Sequence, residues 1–522
     1  MEESKLFPEL RRIFGEENVI TNTETLRQKS YDSCPLNLFD QNKDVPTASA
    51  IVMPNKGSLG NSCNKQLENL VKLANAEGLK IIPIGGLTGV RGAVASQGGE
   101  IVVDSSKLRH MVGIREPEDD APGEVSVQAG VTGLELEQWL KIGPRPDTTF
   151  FYPASYKTST PAGWVSTGAS GHNSAGFGDI THCVNAVSGV DGKGETFYFT
   201  GDNLKKIFRM EGTTGIITRV WMKTHKLPIY SSPQSFRFYC LESVAEFLRN
   251  LAAHREEFRR SEVVLCSARA YDFLDFNFIS KPHKEESKKS AIQKRIRHFL
   301  EKILCHNHKL VRKMFVHNIV GHYWTVIVHT VGNNHQKLTD ASDKINRLCR
   351  FADGRNLGPE IASAWLSHPF KQSHEKLVSY FNSGITVDTF DCTPEWNTVI
   401  GTYAATDTLI FENYGIAGAH LCLDLDQPYL YTTLAISGRS REKYLRLWDN
   451  LAYTCHVVGT KPNHHHNVGR LGRKFAHPRY AIGEEWYQNI AIPAKKEHDP
   501  NNILNPGNLR FKEALFAQNQ PR

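Results

Sequence analysis

The sequence predicts an α+β protein of two domains, and three observations carry that reading. A short apolar strand, "ASAIVMP", precedes a helical stretch in which Leu67, Leu70, Val71 and Ala74 recur on one face before Gly78 stops it. A second strand, "LKIIPIGG", then runs straight into glycines, so this strand, helix, strand unit delivers a glycine loop. Beyond Pro228 the pattern shifts to longer helical and strand segments, which marks a second domain. A length of 522 residues allows roughly three domains of about 150 residues and ample core.

The remaining elements follow in order. "EIVVDSSKL" and "EVSVQAGV" are strands, and Leu136, Trp139 and Leu140 form a short helix face. Residues 155–178 are rich in Gly, Ser, Thr and Ala, which lets backbone approach a neighbour closely. "AVSGVDGKGETFYFT" reads as a hairpin turning at Asp191 and Gly192, and "EGTTGIITRVWMKTHKLP" as a glycine turn feeding a β-branched strand. The predicted boundaries are a lead-in at 1–44, a first domain at 45–228, a second at 229–480, and a C-terminal segment at 481–522 that packs back on the first.

Composition excludes several classes. The hydrophobic fraction of 40% and charged fraction of 22% are those of a globular protein. No apolar run approaches the roughly 18 residues of a membrane span, and "MEESKLFPELRRIFGEEN" is too charged for a signal peptide. A cytoplasmic location is expected, with the inner face of a membrane as a second reading. Ten cysteines without a CxxC pair suggest reduced, mostly buried thiols rather than a zinc ribbon or disulfide scaffold. The net charge of +7 is concentrated in 281–317, where eleven Lys and Arg face three Glu. Apolar residues recur there every three to four positions, so it is an amphipathic helix with a cationic face. That face is either solvated or docks on an anionic membrane surface; nucleic acid is not expected without aromatic platforms.

Three motifs can carry chemistry. In "PIGGLTGVRG" the glycines let successive N–H groups converge on an anion such as a pyrophosphate. It is neither GxGxxG nor GxxxxGK[ST], which argues against nicotinamide and ATP. "TSTPAGWVSTGASGHNSAGFGDI" offers small residues and hydroxyls to a flat ring system, and "EGTTGIIT" places glycines around two threonines. Each alone is equally a tight turn or a packing seam.

Together and in this order they resemble the FAD-binding half of the vanillyl-alcohol-oxidase superfamily, the PCMH-type flavoproteins. The tail "HDPNNILNPGNL" is similar to that superfamily's C-terminal signature, and "STPAGWVSTGASG", "NHHHNVGRL" and "VDTFDCTPEW" further resemble the alkylglycerone-phosphate synthase and D-lactate dehydrogenase group, whose second half is the FAD-linked oxidase C-terminal domain. The resemblance implies a two-subdomain FAD-binding domain and a substrate, or cap, domain with an antiparallel sheet and helices, with FAD between them. It implies that FAD is held by Pro83, Ile84, Gly85, Gly86, Leu87, Thr88 and Gly89, and by Pro153, Ser155, Thr160, Gly163, Trp164, Ser166, Thr167, Ala169, Ser170, Gly171, Gly178 and Asp179. Glu211, Gly212, Thr213, Gly215, Ile216 and Asn505 complete that set. No histidine stands at Leu87 or Thr88, where covalent members attach the flavin, so the FAD is expected to be noncovalent.

Three adjacent histidines, His464, His465 and His466, first suggest a metal. Neighbours on an extended chain point to opposite faces, and no HExxH or Cys-rich context supplies partners, so no metal is expected. A hydrogen-bonded polar turn remains open. The resemblance implies instead imidazoles that face the flavin and handle a proton, with His420 and Tyr431 at a substrate-domain histidine and a catalytic tyrosine. Four positions depart from the subgroup: Gly168 replaces an Arg, Ala162 and Asn467 replace glycines, and Asp391 replaces a Glu. The expected function is an FAD-dependent oxidoreductase acting on the hydroxyl-bearing carbon of a small molecule such as a 2-hydroxy acid, the proton going to His465 or a neighbour. The alternatives are synthase-like transfer through a flavin–substrate adduct, and a flavin binder without catalysis. Expected partners are a substrate and an electron acceptor of unknown identity, and a homodimer is the assembly to test.

Overall fold

A computed structural model describes residues 2–40, 45–55, 61–115, 122–142, 146–280, 307, 323–367, 374–462, 465–472 and 484–511. The chain forms two compact units, one of Met1–Gly171, Asp179–Leu227 and His465–Arg522, the other of His172–Gly178 and Pro228–His464.

The first unit contains two sheets. β1 (Val19–Ile20), β2 (Ala50–Val52), β3 (Ile81–Ile84) and β4 (Ile101–Asp104) pair in the order β1-β2-β4-β3, the last three strands parallel. Parallel strands of one sheet need a crossover, and α3 (Asn61–Glu77) is the one that links β2 to β3, on either side of β4. Leu67, Leu70, Val71 and Ala74 are fully buried, and Gly78 ends the helix at φ +68°. The second sheet, β5 (Met111–Arg115), β6 (Gly123–Gln128), β7 (Asp147–Thr148), β8 (Val184–Asp191), β9 (Thr196–Thr200) and β10 (Gly215–Lys226), is antiparallel around β10. One core joins α3 and the parallel sheet to Val190 and Ile216 of the second sheet and to Ile503 and Leu504 of the tail.

The predicted lead-in is part of this core. Helix Glu3–Phe14 buries Leu6, Leu10 and Phe14 against α3, a periodicity hidden among the charges of "ESKLFPELRRIF". Trp139, expected on a buried helix face, is instead 36% exposed, while Leu136 and Leu140 are buried.

The second unit is one antiparallel sheet of β11 (Tyr230–Phe238), β12 (Val263–Tyr271), β13 (Trp324–Gly332), β14 (Arg355–Gly358), β15 (Ile385–Thr393), β16 (Gly415–Asp424), β17 (Gln427–Ser437) and β18 (Lys461–Pro462). Its order is β14-β11-β13-β12-β16-β17-β15-β18. β16 is buried on both faces, so its sequence shows no clean alternation. Residues 172–178 join this unit rather than the FAD-binding stretch around them. Ser174 Oγ donates to Leu423 O at 2.9 Å, and a Cβ on Gly176 would stand 2.8 Å from Leu265 O. The small residues there serve packing on β12 and β16. The break after this unit falls at 464/465 rather than at 480, because the loop that follows is bound to the first unit, as described below.

The cationic segment 281–317 lies outside the described residues apart from Asn307. No helix among the described residues is long and apolar enough to cross a membrane.

Candidate functional site

Four chain segments that are far apart in sequence meet in the first unit. β3 delivers the glycine loop, and Gly86 approaches the backbone of 158–159 so closely that a Cβ would stand 3.0 Å from Ser159 Cα. Thr160 caps helix Pro161–Thr167, its Oγ1 accepting from Gly163 N at 3.2 Å. The third stretch closes on both: Glu211 N donates to Ser166 O at 2.9 Å, and Gly212 packs against the Pro83 ring. The tail completes the group, since Asn505 Nδ2 donates to Ala93 O at 2.9 Å and to Glu211 O at 2.7 Å.

The backbone is strained where these segments meet. Leu87, Arg209, Glu211, Asn467 and Asn505 all have positive φ, at 55°, 64°, 52°, 68° and 39°. Such residues cost roughly 1–3 kcal/mol each and gather at ligand sites. Asn467, which departs from the subgroup's glycine, keeps the left-handed backbone that glycine would adopt, and Asn tolerates it best among the other residues. Gly168 is a left-handed cap at φ 65°, and the space above it is filled by Arg209, whose Nε would lie 2.8 Å from a Cβ there. A guanidinium is thus present at Gly168, carried by another part of the chain. It pairs with Asp179 at 2.7 Å. Burial opposes ionisation of Asp179, but its hydrogen bond with His182 and the charge of Arg209 hold it well below the usual carboxylate range.

The histidine loop is latched here. Glu211 Oε1 accepts from Val468 N at 3.0 Å and from Gly469 N at 2.6 Å. Leu471 N donates to Arg91 O at 3.0 Å. His465 and His466 therefore belong to the first unit, with ring centroids 4.3 Å apart, while His464 lies outside the described residues. Burial pushes Glu211 up to about 7, with the neighbouring Asp32 adding to the rise, and burial likewise raises Asp32 to about 7.

A carboxyl whose pKa is raised on folding stabilises the fold in its protonated form. Glu211 contributes fully below its ordinary 4.5, and the contribution is lost as the pH rises through about 7. Glu211→Gln, which mimics the protonated group, is expected to gain roughly 1–3 kcal/mol relative to wild type between pH 5 and pH 8 in the flavin-free protein. Parallel thermal midpoints for the two proteins across that range would refute this.

The convergent segments fit FAD. Among the described residues no acceptor is bonded to the N–H groups of Gly86, Leu87, Thr88 or Gly89, which leaves them available to an anion such as a pyrophosphate. Glu211 Oε2, Asn505 Oδ1 and Asn508 Oδ1 are buried acceptors with no partner among the described residues, and ribityl hydroxyls or an amino group would satisfy them. Of the predicted set, Trp164 sits in the core, its indole N–H donating to Ser159 Oγ at 2.7 Å and its ring 5.1 Å from Phe151. Gly178 belongs to the second unit.

The second unit carries a polar cluster of its own. Tyr271 of β12 is directly opposite His420 of β16, His420 is opposite Tyr431 of β17, and Tyr431 is opposite Asp391 of β15. Directly opposed residues share a face, so the four form one row across the sheet. Arg269, Cys422 and Tyr429 form the next row on that face, and Arg269 Nη2 donates to Tyr429 Oη at 3.1 Å. The His420 ring stacks on Tyr431, with centroids 4.5 Å apart and planes at 17°. Its Nδ1 lies 2.6 Å from Asp275 Oδ2. His172 completes the group against Trp365, 5.1 Å between centroids; burial, then the charges of Arg269 and His420, drives its pKa well below the ordinary value, so it is neutral. Asp272, Asp275, His172 and Arg269 escaped the sequence reading. The one sequence signal for the two acids was a pair of Asp in the otherwise apolar "YDFLDFNF".

Comparisons with known proteins identify two family domains in this chain. Residues 62–200 match the FAD binding domain family, and residues 307–509 match the C-terminal domain of FAD linked oxidases. The chain is similar to alkyldihydroxyacetonephosphate synthase of Dictyostelium discoideum, 25% identical over 481 residues that cover 85% of this chain and 72% of that protein. It is also similar to D-2-hydroxyglutarate dehydrogenase of Stutzerimonas stutzeri, 26% identical over 240 residues that cover 44% of this chain and 47% of the relative. Among solved structures, an alkyldihydroxyacetonephosphate synthase shares the fold with a TM-score of 0.70 at 19% identity, covering 97% of this chain and 85% of that one. A p-cresol methylhydroxylase with substrate bound does so with a TM-score of 0.71 at 14% identity, covering 98% and 97%.

Proposed function

This chain belongs to the PCMH-type FAD-linked oxidases, and from that premise we propose that it oxidises the hydroxyl-bearing carbon of a small 2-hydroxy acid. Its cofactor is FAD, which when bound supplies a two-electron acceptor for the hydride of the substrate carbon. The residues of the first unit named above would hold it, with the loop 86–89 donating to the pyrophosphate and Glu211, Asn505 and Asn508 accepting from its polar edges. The observation that carries the reaction class is the imidazole of His420, stacked on the phenol of Tyr431 in a row of polar side chains. An imidazole takes up a proton near neutral pH, and a phenol beside it can donate or accept a hydrogen bond to the same oxygen. Arg269 puts a buried cation on that face, suited to a carboxylate. His465 and His466, fixed by the Glu211 latch, put two further imidazoles in the unit that would hold the flavin.

One observation favours a second reading, transfer of the synthase type without net oxidation. The similarity to a synthase runs over 85% of this chain, against 44% for the hydroxyglutarate dehydrogenase. The purified protein is expected to be yellow, and anaerobic addition of a panel of 2-hydroxy acids should bleach the flavin band. Spectral change with acylated dihydroxyacetone phosphate, but no turnover with artificial electron acceptors, would favour the synthase reading instead. Silence toward both would leave a flavin binder without catalysis.

A further inference from the structure

We propose that Asp275 is a positioning residue that keeps the proton of His420 on Nδ1, so that Nε2 is presented as the base for the substrate hydroxyl. The assignment deepens the oxidase reading and rests on it. Four features of the second unit support it.

A carboxylate only accepts hydrogen bonds, so the 2.6 Å contact places the imidazole proton on Nδ1. The acid side chain is wholly buried while the imidazole keeps 11% of its surface exposed, so the accessible edge of the ring lies away from Asp275. The ring is held from both sides, by Tyr431 and by Tyr271, whose centroid is 5.1 Å away at 45°. The acid is held in turn: Asp275 N donates to Asp272 Oδ1 at 2.7 Å, and Asp272 Oδ2 accepts from Ala419 N, next to His420, at 2.8 Å. Acid and imidazole are thereby fastened to the same stretch of β16.

A backbone carbonyl can satisfy an imidazole N–H without burying a second ionisable group. Burying a carboxylate costs several kcal/mol, and Asp272 places a second acid in the same turn, itself pushed well above the usual range by burial and by Asp275. The arrangement suits a ring that becomes an imidazolium. FAD, when bound, would supply the two-electron oxidant; Nε2 would take the hydroxyl proton released as the carbon becomes a carbonyl, and Asp275 would offset the new positive charge on the ring. Among the described residues of the second unit, the charged and titratable groups around His420 are Asp275, Tyr271, Tyr431, His172 and Arg269, with Asp272 bonded to the adjacent Ala419 N.

Two measurements on the flavin-loaded protein test this. With 15N-labelled histidine, the His420 resonances, identified by their loss in His420→Gln, should show the Nδ1–H form. Asp275→Asn should redistribute them toward Nε2–H. In anaerobic stopped-flow reduction by D-lactate and D-2-hydroxyglutarate, Asp275→Asn should lower the limiting rate roughly 10²–10⁴-fold with substrate affinity kept. Its acid pH limb should move to lower pH, and Asp275→Glu should recover part of the rate. A wild-type rate and pH limb in Asp275→Asn, or Nε2–H in the wild-type protein, overturns the proposal. If neither acid reduces the wild-type flavin, the oxidase reading fails, and the tautomer still decides the role of Asp275. The wild-type tautomer decides equally if Asp275→Asn does not fold.

Discussion

Gly86→Val is expected to give a folded protein that purifies without its yellow colour. The neighbours of a Cβ at Gly86 are the Thr158 carbonyl and Ser159 Cα, both backbone, so no flexible side chain can move aside. The loop 85–89 would have to lift from 158–160, which separates the N–H donors from the stretch that resembles a flavin-lining segment. The core beneath, with Ile81, Ile82 and Ile84 buried in β3, does not depend on that contact. Flavin-to-protein stoichiometry read from absorbance should fall at least about tenfold, the order of loss when a precise ligand cradle is misplaced. Gly86→Ala should fall between. Full flavin content in the Val variant, with an unchanged off-rate, would show that the loop is only a turn.

The second large effect is one of stability. Lys495 is completely buried and its Nζ donates to Asp499 Oδ2 at 2.5 Å, Thr213 O at 2.9 Å and Leu504 O at 3.1 Å. Burial pushes Lys495 down and Asp499 up in pKa even though each holds the other's charge. Such a pair is costly to break on one side. Lys495→Met should destabilise the first unit by roughly 3–5 kcal/mol in denaturant titration, and adding Asp499→Asn should recover part of the loss because the lone buried charge is gone. A single variant within 1 kcal/mol of wild type would mean that the tail is held by its apolar contacts alone.

Local features were legible in the sequence and long-range ones were not. The spacing of Leu67, Leu70, Val71 and Ala74 predicts α3 because helix period depends on neighbours alone. The three glycine-rich stretches were visible for the same reason, and the structure brings them together in the first unit. The bonds that shape the sites were not visible. Glu211 latches a loop some 257 residues later, and Asp275 meets a histidine 145 residues away; no periodicity records such pairs. Residues 172–178 were ambiguous for a different reason, since Ser, Ala and Gly serve close packing on a sheet as readily as close approach to a ligand. Arg209 above Gly168 also shows that a cation missing at one position can be supplied from another.

The discontinuity of the first unit has a consequence for synthesis. Ile81 N bonds Ile503 O at 2.8 Å, and Asn505 N returns a bond to Ile81 O at 2.7 Å, so β3 is closed by residues near the far end of the chain. At about 5–20 residues per second, a ribosome needs roughly 15 to 55 s to pass from Leu227 to Ile503. Throughout that interval the second unit is being completed while the first lacks its tail, the Lys495 anchor and the acceptors at Asn505 and Asn508. Flavin capture is therefore expected to follow synthesis of the tail, and a chain interrupted beyond Pro462 but before Asn505 would carry every described strand of its second unit while lacking Asn505 and Asn508 of the first.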